Sequence, residues 1–133
     1  MREFVRLQTG VLLRGLASQV NRASRTGDPD AIHDLRVAIR RLSRCLRLFA
    51  RFYPAHSWKK VRRRLASLMD VCGTVRDRDI AIELLRKARV PPVSPLLRQL
   101  YQERLAARLE LRRQLLRWKQ RAFSRRWRLR LGL

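Results

Sequence analysis

Six cationic or potentially cationic side chains recur at three- and four-residue steps: His33, Arg36, Arg40, Arg44, Arg47 and Arg51. On an α-helix, at about 100° per residue, they fall within an arc of roughly 80°. Leu35, Ile39, Leu42, Cys45, Leu46 and Phe49 take the opposite face. No carboxylate interrupts the row, and Asp34 points away, toward the side that carries Arg41 and Cys45. Solvated helices ordinarily break such a row with Asp or Glu, because like charges at i,i+4 repel by a few tenths of a kcal/mol per pair. Arginine also presents a planar fork of donors that grips anionic oxygens in pairs. The chemistry open to this row is the binding of a polyanion. A plain solvated amphipathic face is the competing reading, and spacing alone does not separate the two.

Other chemistries find little support. There is no carboxylate pair positioned for a metal, no glycine-rich phosphate loop and no nucleophile–base arrangement. Of the two histidines, His56 sits in the turn from Pro54 to Ser57 and reads as incidental. Cys45 and Cys72 lack metal or redox spacing and read as small buried apolar residues in a reducing compartment. We therefore expect a binding protein with no catalytic residue, no metal and no cofactor.

Lys and Arg number 33 against 10 Asp and Glu, a net charge of +23. Arginine dominates, with 29 Arg to 4 Lys. Such self-repulsion opposes a compact state unless an anion offsets it. The 46% hydrophobic content still permits a core, and 133 residues suit a single domain spanning positions 1–133. No apolar run approaches the ~20 residues of a membrane span, and Arg14 interrupts the apolar N-terminal segment that could pass for a signal peptide. A soluble, cytoplasmic protein is expected.

Helical periodicity pervades the chain. The first helix is predicted over about Glu3 to Ala23, with Phe4, Val5, Leu12, Leu16 and Val20 inward. Asp28 caps a second helix with Pro29 at its first position, running to about Phe52 and stopping at Tyr53-Pro54. Ser57 is the expected cap of a third helix that reaches Cys72-Gly73, where a kink or short break precedes a fourth over RDRDIAIELLRKA. VPPVSP is the clearest linker, and one long last helix is expected from Pro95 to Trp127. The fold class is all-α: an antiparallel helical bundle of about four to five helices with a long C-terminal helix.

In that last helix Leu97, Leu100, Leu105, Leu109, Leu111, Leu115, Leu116 and Phe123 spread over a wide arc, and Arg104, Arg108 and Arg112 fall near its middle. Unpaired arginine is very costly to bury, so these three must meet water, an anion or a partner. We expect them to wall a polar groove with the arginines of the second helix, to which Lys59, Arg62 and Arg63 of the third add. Beyond Glu110 the chain has no acid, and this basic end is either a frayed tail or a second anion-contacting strip. Trp58, Trp118 and Trp127 read as core or interface residues rather than platforms for bases.

Two segments, IHDLRVAIRRLSRCLRLF and LMDVCGTVRDRDIAIELL, resemble the CHAD family, the conserved-histidine α-helical domain. His33, Arg36, Val37, Arg40, Arg41 and Leu42 match its first motif; Gly73, Arg76, Asp77, Asp79 and Ile80 resemble its second. The match is good over about residues 28 to 88 and less specific over Arg104, Arg108 and Arg112. Cys72 stands where the family often has leucine. The resemblance implies a helical bundle that binds inorganic polyphosphate in a basic cavity, in some relatives at polyphosphate granules. The implied binding set is His33, Arg36, Arg40, Arg41, Arg44, Arg47, Lys59, Arg62, Arg63, Arg76, Arg104, Arg108 and Arg112. Asp77 or Asp79 would orient basic side chains of a neighbouring helix, although Arg76 to Asp79 also fit ordinary surface pairs. The family's usual domain is about twice as long and made of two related halves, of which this chain resembles one. A fragment, or a homodimer that rebuilds the cavity, is therefore expected. Nucleic acid, RNA in particular, is the second choice of partner. Its disadvantage is that the aromatics, at 7%, do not interleave with the cationic row. A structural subunit meeting an acidic protein is a third reading, which leaves the inward arginines unexplained.

Overall fold

The computed structural model describes residues 1–133. Its elements are α1 (Arg2–Arg25), α2 (Pro29–Leu48), a 3-10 turn (Ala50–Phe52), α3 (Ala55–Lys87), α4 (Pro95–Gln120) and α5 (Phe123–Arg130). Asp28 caps α2 by accepting from the Ala31 N–H at 2.8 Å, and Pro29 occupies its first turn, where no N–H is needed. Cross-links fix the antiparallel order. Arg22 near the end of α1 meets Asp34 near the start of α2 at 2.5 Å. Arg62 of α3 donates to Ser43 of α2 at 3.2 Å. Lys119 of α4 donates to Ser24 of α1 at 3.2 Å. The four long helices thus close a ring, up-down-up-down, around Leu13, Leu16, Leu35, Leu42, Leu65, Leu68 and Leu115. This is the all-α bundle expected from periodicity.

One polar knot lies inside. Thr9 bonds the Tyr53 hydroxyl at 2.6 Å and donates to the Val5 carbonyl at 2.6 Å, with the Cys45 sulfur within 3.7 Å. It ties the α2–α3 connection to α1, and burial pushes the Tyr53 phenol above its ordinary range.

Five expectations need correction. Phe4 is exposed, standing edge-on to Phe49, and Leu13 takes the core position instead. The second helix ends at Leu48, and Arg51 lies in the 3-10 turn beyond it. Ser57 caps nothing: the helix already begins at Ala55 after Pro54, and the Ser57 N–H donates to the Pro54 carbonyl. No break occurs at Gly73, because α3 is one helix of 33 residues. Cys72 and Val75 are buried on either side of the glycine, and that packing outweighs its helix cost of about 1 kcal/mol. The last helix does break, at Ala122, whose φ of 49° and ψ of 52° are left-handed. Trp118, Phe123 and Trp127 pack around this reversal with ring centroids 5.0–5.1 Å apart, folding α5 back onto α1 and α3.

At 1.5 Å per residue α3 is about 50 Å long and α2 about 30 Å. The far halves of α3 and α4 therefore project as a two-helix arm. Ile82 and Leu97 are its buried residues, while Ile80, Leu84, Leu96 and Leu105 are exposed.

Gly73 and Ala122 call for opposite substitutions, each expected to stabilise the protein. A Cβ at Gly73 meets nothing within 4 Å, so Gly73→Ala should stabilise the protein by about 0.5–1 kcal/mol in urea unfolding. Ala122→Gly should gain up to about 1 kcal/mol by relieving the left-handed alanine. A loss at Gly73 would contradict the unbroken helix, and a loss at Ala122 would contradict the reversal.

Candidate anion-binding surfaces

The α2 row forms as the periodicity requires. Ile32, Leu35, Ile39, Leu42, Cys45 and Leu46 are buried, and on the other side His33, Arg40, Arg44 and Arg47 stand exposed. Arg36 differs from its neighbours: it is half-buried beside Cys72 of α3, and its Nε is sealed from solvent with no hydrogen-bond partner. Leaving that nitrogen unpartnered costs free energy, as it does at the sealed Nε of Arg108. No member of the row joins an ion pair. Asp34, the only acid close to it in sequence after Asp30, is engaged with Arg22 on the α1 side, the flank that Arg41 shares.

Of the α3 candidates, Arg62 borders the row through its bond to Ser43. Arg76, half-buried, follows Cys72 by one turn on the same side. Lys59 is exposed over the Trp58 ring at 5.8 Å. Arg63 is a correction: it faces away from the row, into a cleft with Lys60 and Arg64 that opens toward α4 and α5.

The α4 candidates are also corrected. Arg104 and Arg108, expected to wall a groove with α2, converge on Asp79 of α3 at 3.5 and 3.4 Å. Asp79 is only 14% exposed, so one carboxylate offsets two partly buried guanidiniums. The position inside the apolar arc follows from this clamp and needs no ligand. Arg78 meets Glu103 at 2.7 Å alongside it, and Asp77 is exposed without an ion pair. Arg112 is exposed; with Arg25 and Arg108 it borders a hollow beside the start of α2. The family resemblance gave Asp77 or Asp79 the part of orienting basic side chains of a neighbouring helix, and Asp79 takes it; residue spacing alone does not single out Arg104 and Arg108, 25 and 29 positions away, as the side chains it holds. The α5 end of the cationic surface was foreshadowed only by the absence of acids after Glu110.

An all-helical ring with unneutralised arginines along one helix defines the class: a basic helical-bundle domain. The model of the CHAD domain family matches residues 11–132, so the chain belongs to the CHAD family, a domain known in polyphosphate-binding proteins. Neither the comparison with curated proteins nor that with solved structures gives a match. No helix is long and apolar enough to cross a membrane.

Burial pushes the Cys72 thiol up to about 12, outweighing the opposite pull of Arg36. Thiolate is the reactive form, so at pH 8 a disulfide reagent should label Cys72 only after unfolding in urea. Rapid labelling of the native protein would contradict the packing of α2 on α3 beneath the row.

Proposed function

We propose that this chain is a non-enzymatic module that binds inorganic polyphosphate along α2, through His33, Arg36, Arg40, Arg44 and Arg47, flanked by Arg62 and Arg76. The observation that carries this reading is the row itself, whose cations join no ion pair. Family membership supports the choice of anion. From His33 to Arg47 the row runs about 21 Å along the helix, which suits a long unbranched chain of phosphates. Nucleic acid is less well served, since no aromatic side chain lies on the row to stack a base. Arg41 and Lys59 add field at the edges, while Arg108 and Arg112 extend the cationic surface past the start of α2. Asp79 positions Arg104 and Arg108 rather than touching the anion. Cytoplasmic location and association with polyphosphate granules belong to the same proposal.

A two-fold homodimer is the second part of this reading. The exposed Leu105, Leu109 and Leu116 follow one face of α4, with Arg112 among them. Burying it against a second copy would remove that surface from water. Light scattering at micromolar concentration should give a dimer, and Leu105→Glu with Leu109→Glu a monomer. A wild-type monomer that still binds polyphosphate tightly would overturn this part.

Charge reversal tests the site. Each charge-assisted contact contributes about 1.5–3 kcal/mol, so Arg36→Glu with Arg40→Glu should weaken polyphosphate binding at least about a hundredfold. Arg86→Glu with Arg98→Glu, on the arm, should change it little. Equal losses from both pairs would reduce the site to diffuse attraction. His33→Ala should weaken polyphosphate binding severalfold; an unchanged affinity removes His33 from the site.

A further inference from the structure

A second basic surface lies away from the α2 row, in a cleft of about 550 Å³ between α3, α4 and α5. It is made by the left-handed reversal at Ala122, which turns the basic C-terminal helix back toward α3. Lys60 and Arg64 of α3, Arg117 and Arg121 of α4, and Arg126 and Arg130 of α5 line it. None of these cations forms an ion pair, and no lining residue is acidic. The floor differs in kind from the α2 row. Trp118, Phe123 and Trp127 reach the cleft, and Trp118, half-buried, is the most open of the three. Ser67 and Gln114 bring hydrogen-bonding groups to the same wall.

We propose that this cleft is a nucleotide site: several phosphates meet the arginine walls, and the base lies against Trp118. Two features select this ligand class. Concentrated cations without carboxylates demand several negative charges in a small volume. An aromatic floor gives nothing to a bare, fully hydrated phosphate chain, but does reward a ligand carrying a flat ring. The volume falls within the range of small-ligand sites, about 300–1,000 Å³, and suits one free nucleotide better than a nucleic-acid strand, which needs a groove that continues. The site uses none of the α2 row, so it stands or falls independently of the polyphosphate reading.

The test uses the full chain carrying Arg36→Glu and Arg40→Glu, which weakens the row. Calorimetry then compares ATP with inorganic tripolyphosphate, both without metal. ATP should bind once per chain, at least tenfold tighter than tripolyphosphate, and should quench tryptophan emission. Adding Arg121→Glu and Arg126→Glu should weaken ATP at least tenfold while the helical circular-dichroism signal persists. Arg64→Glu, on the opposite wall, should do the same. Trp118→Leu should remove the preference for ATP over tripolyphosphate and leave tripolyphosphate affinity in place. Equal affinity for the two ligands, or ATP binding indifferent to the wall substitutions, overturns the proposal. So does an oligoribonucleotide that displaces ATP at equal phosphate concentration and loses this advantage in the wall variants, since the cleft would then be part of a strand-binding surface.

Discussion

Electrostatic repulsion is the constraint on which this structure turns. A net charge of +23 on 133 residues opposes any compact arrangement. The apolar ring of four helices holds the chain together against it, and salt or a bound anion relieves it. Ten carboxylates cannot neutralise 33 cations, so their placement decides where charge stays uncompensated. All the ion pairs form at the α1–α2 junction and along α3 and α4, through Asp34, Asp79, Glu83, Glu103 and Glu110. None goes to the outer face of α2 or to the cleft beneath α5.

That distribution gives the arginines three distinct settings. On α2 most are exposed around the half-buried Arg36, which is anchored against the α3 surface at Cys72. At Asp79 two arginines share one carboxylate, and their role is to lock the root of the arm. Around Trp118 they surround an aromatic floor. The same side chain therefore meets a linear surface, a structural clamp and a mixed polar–apolar cleft.

The parts of this plan legible in the sequence were the local ones. The Asp28 cap, Pro29 at the first turn and the two faces of α2 follow from residue chemistry and the helical period, and the structure has them where expected. Gly73 misled because glycine weakens a helix only modestly, and buried neighbours at Leu68, Cys72 and Val75 keep α3 unbroken through it. Ala122 misled in the opposite sense. Alanine is the best helix former, so a left-handed alanine has no sequence signal, and the reversal depends on rings that pack only once α5 has folded back. Arg104 and Arg108 were rightly singled out as misplaced for an amphipathic helix. Their partner was a carboxylate on another helix, a tertiary contact that periodicity does not encode.

Which polyanion the α2 row selects can be read from one competition. Long-chain polyphosphate is set against RNA and DNA for the same protein, at near-physiological salt and equal phosphate concentration. Because phosphate contacts alone would draw all three, the ranking reports the fit of the row rather than its charge. Polyphosphate should displace both nucleic acids; RNA or DNA displacing polyphosphate would contradict the assignment.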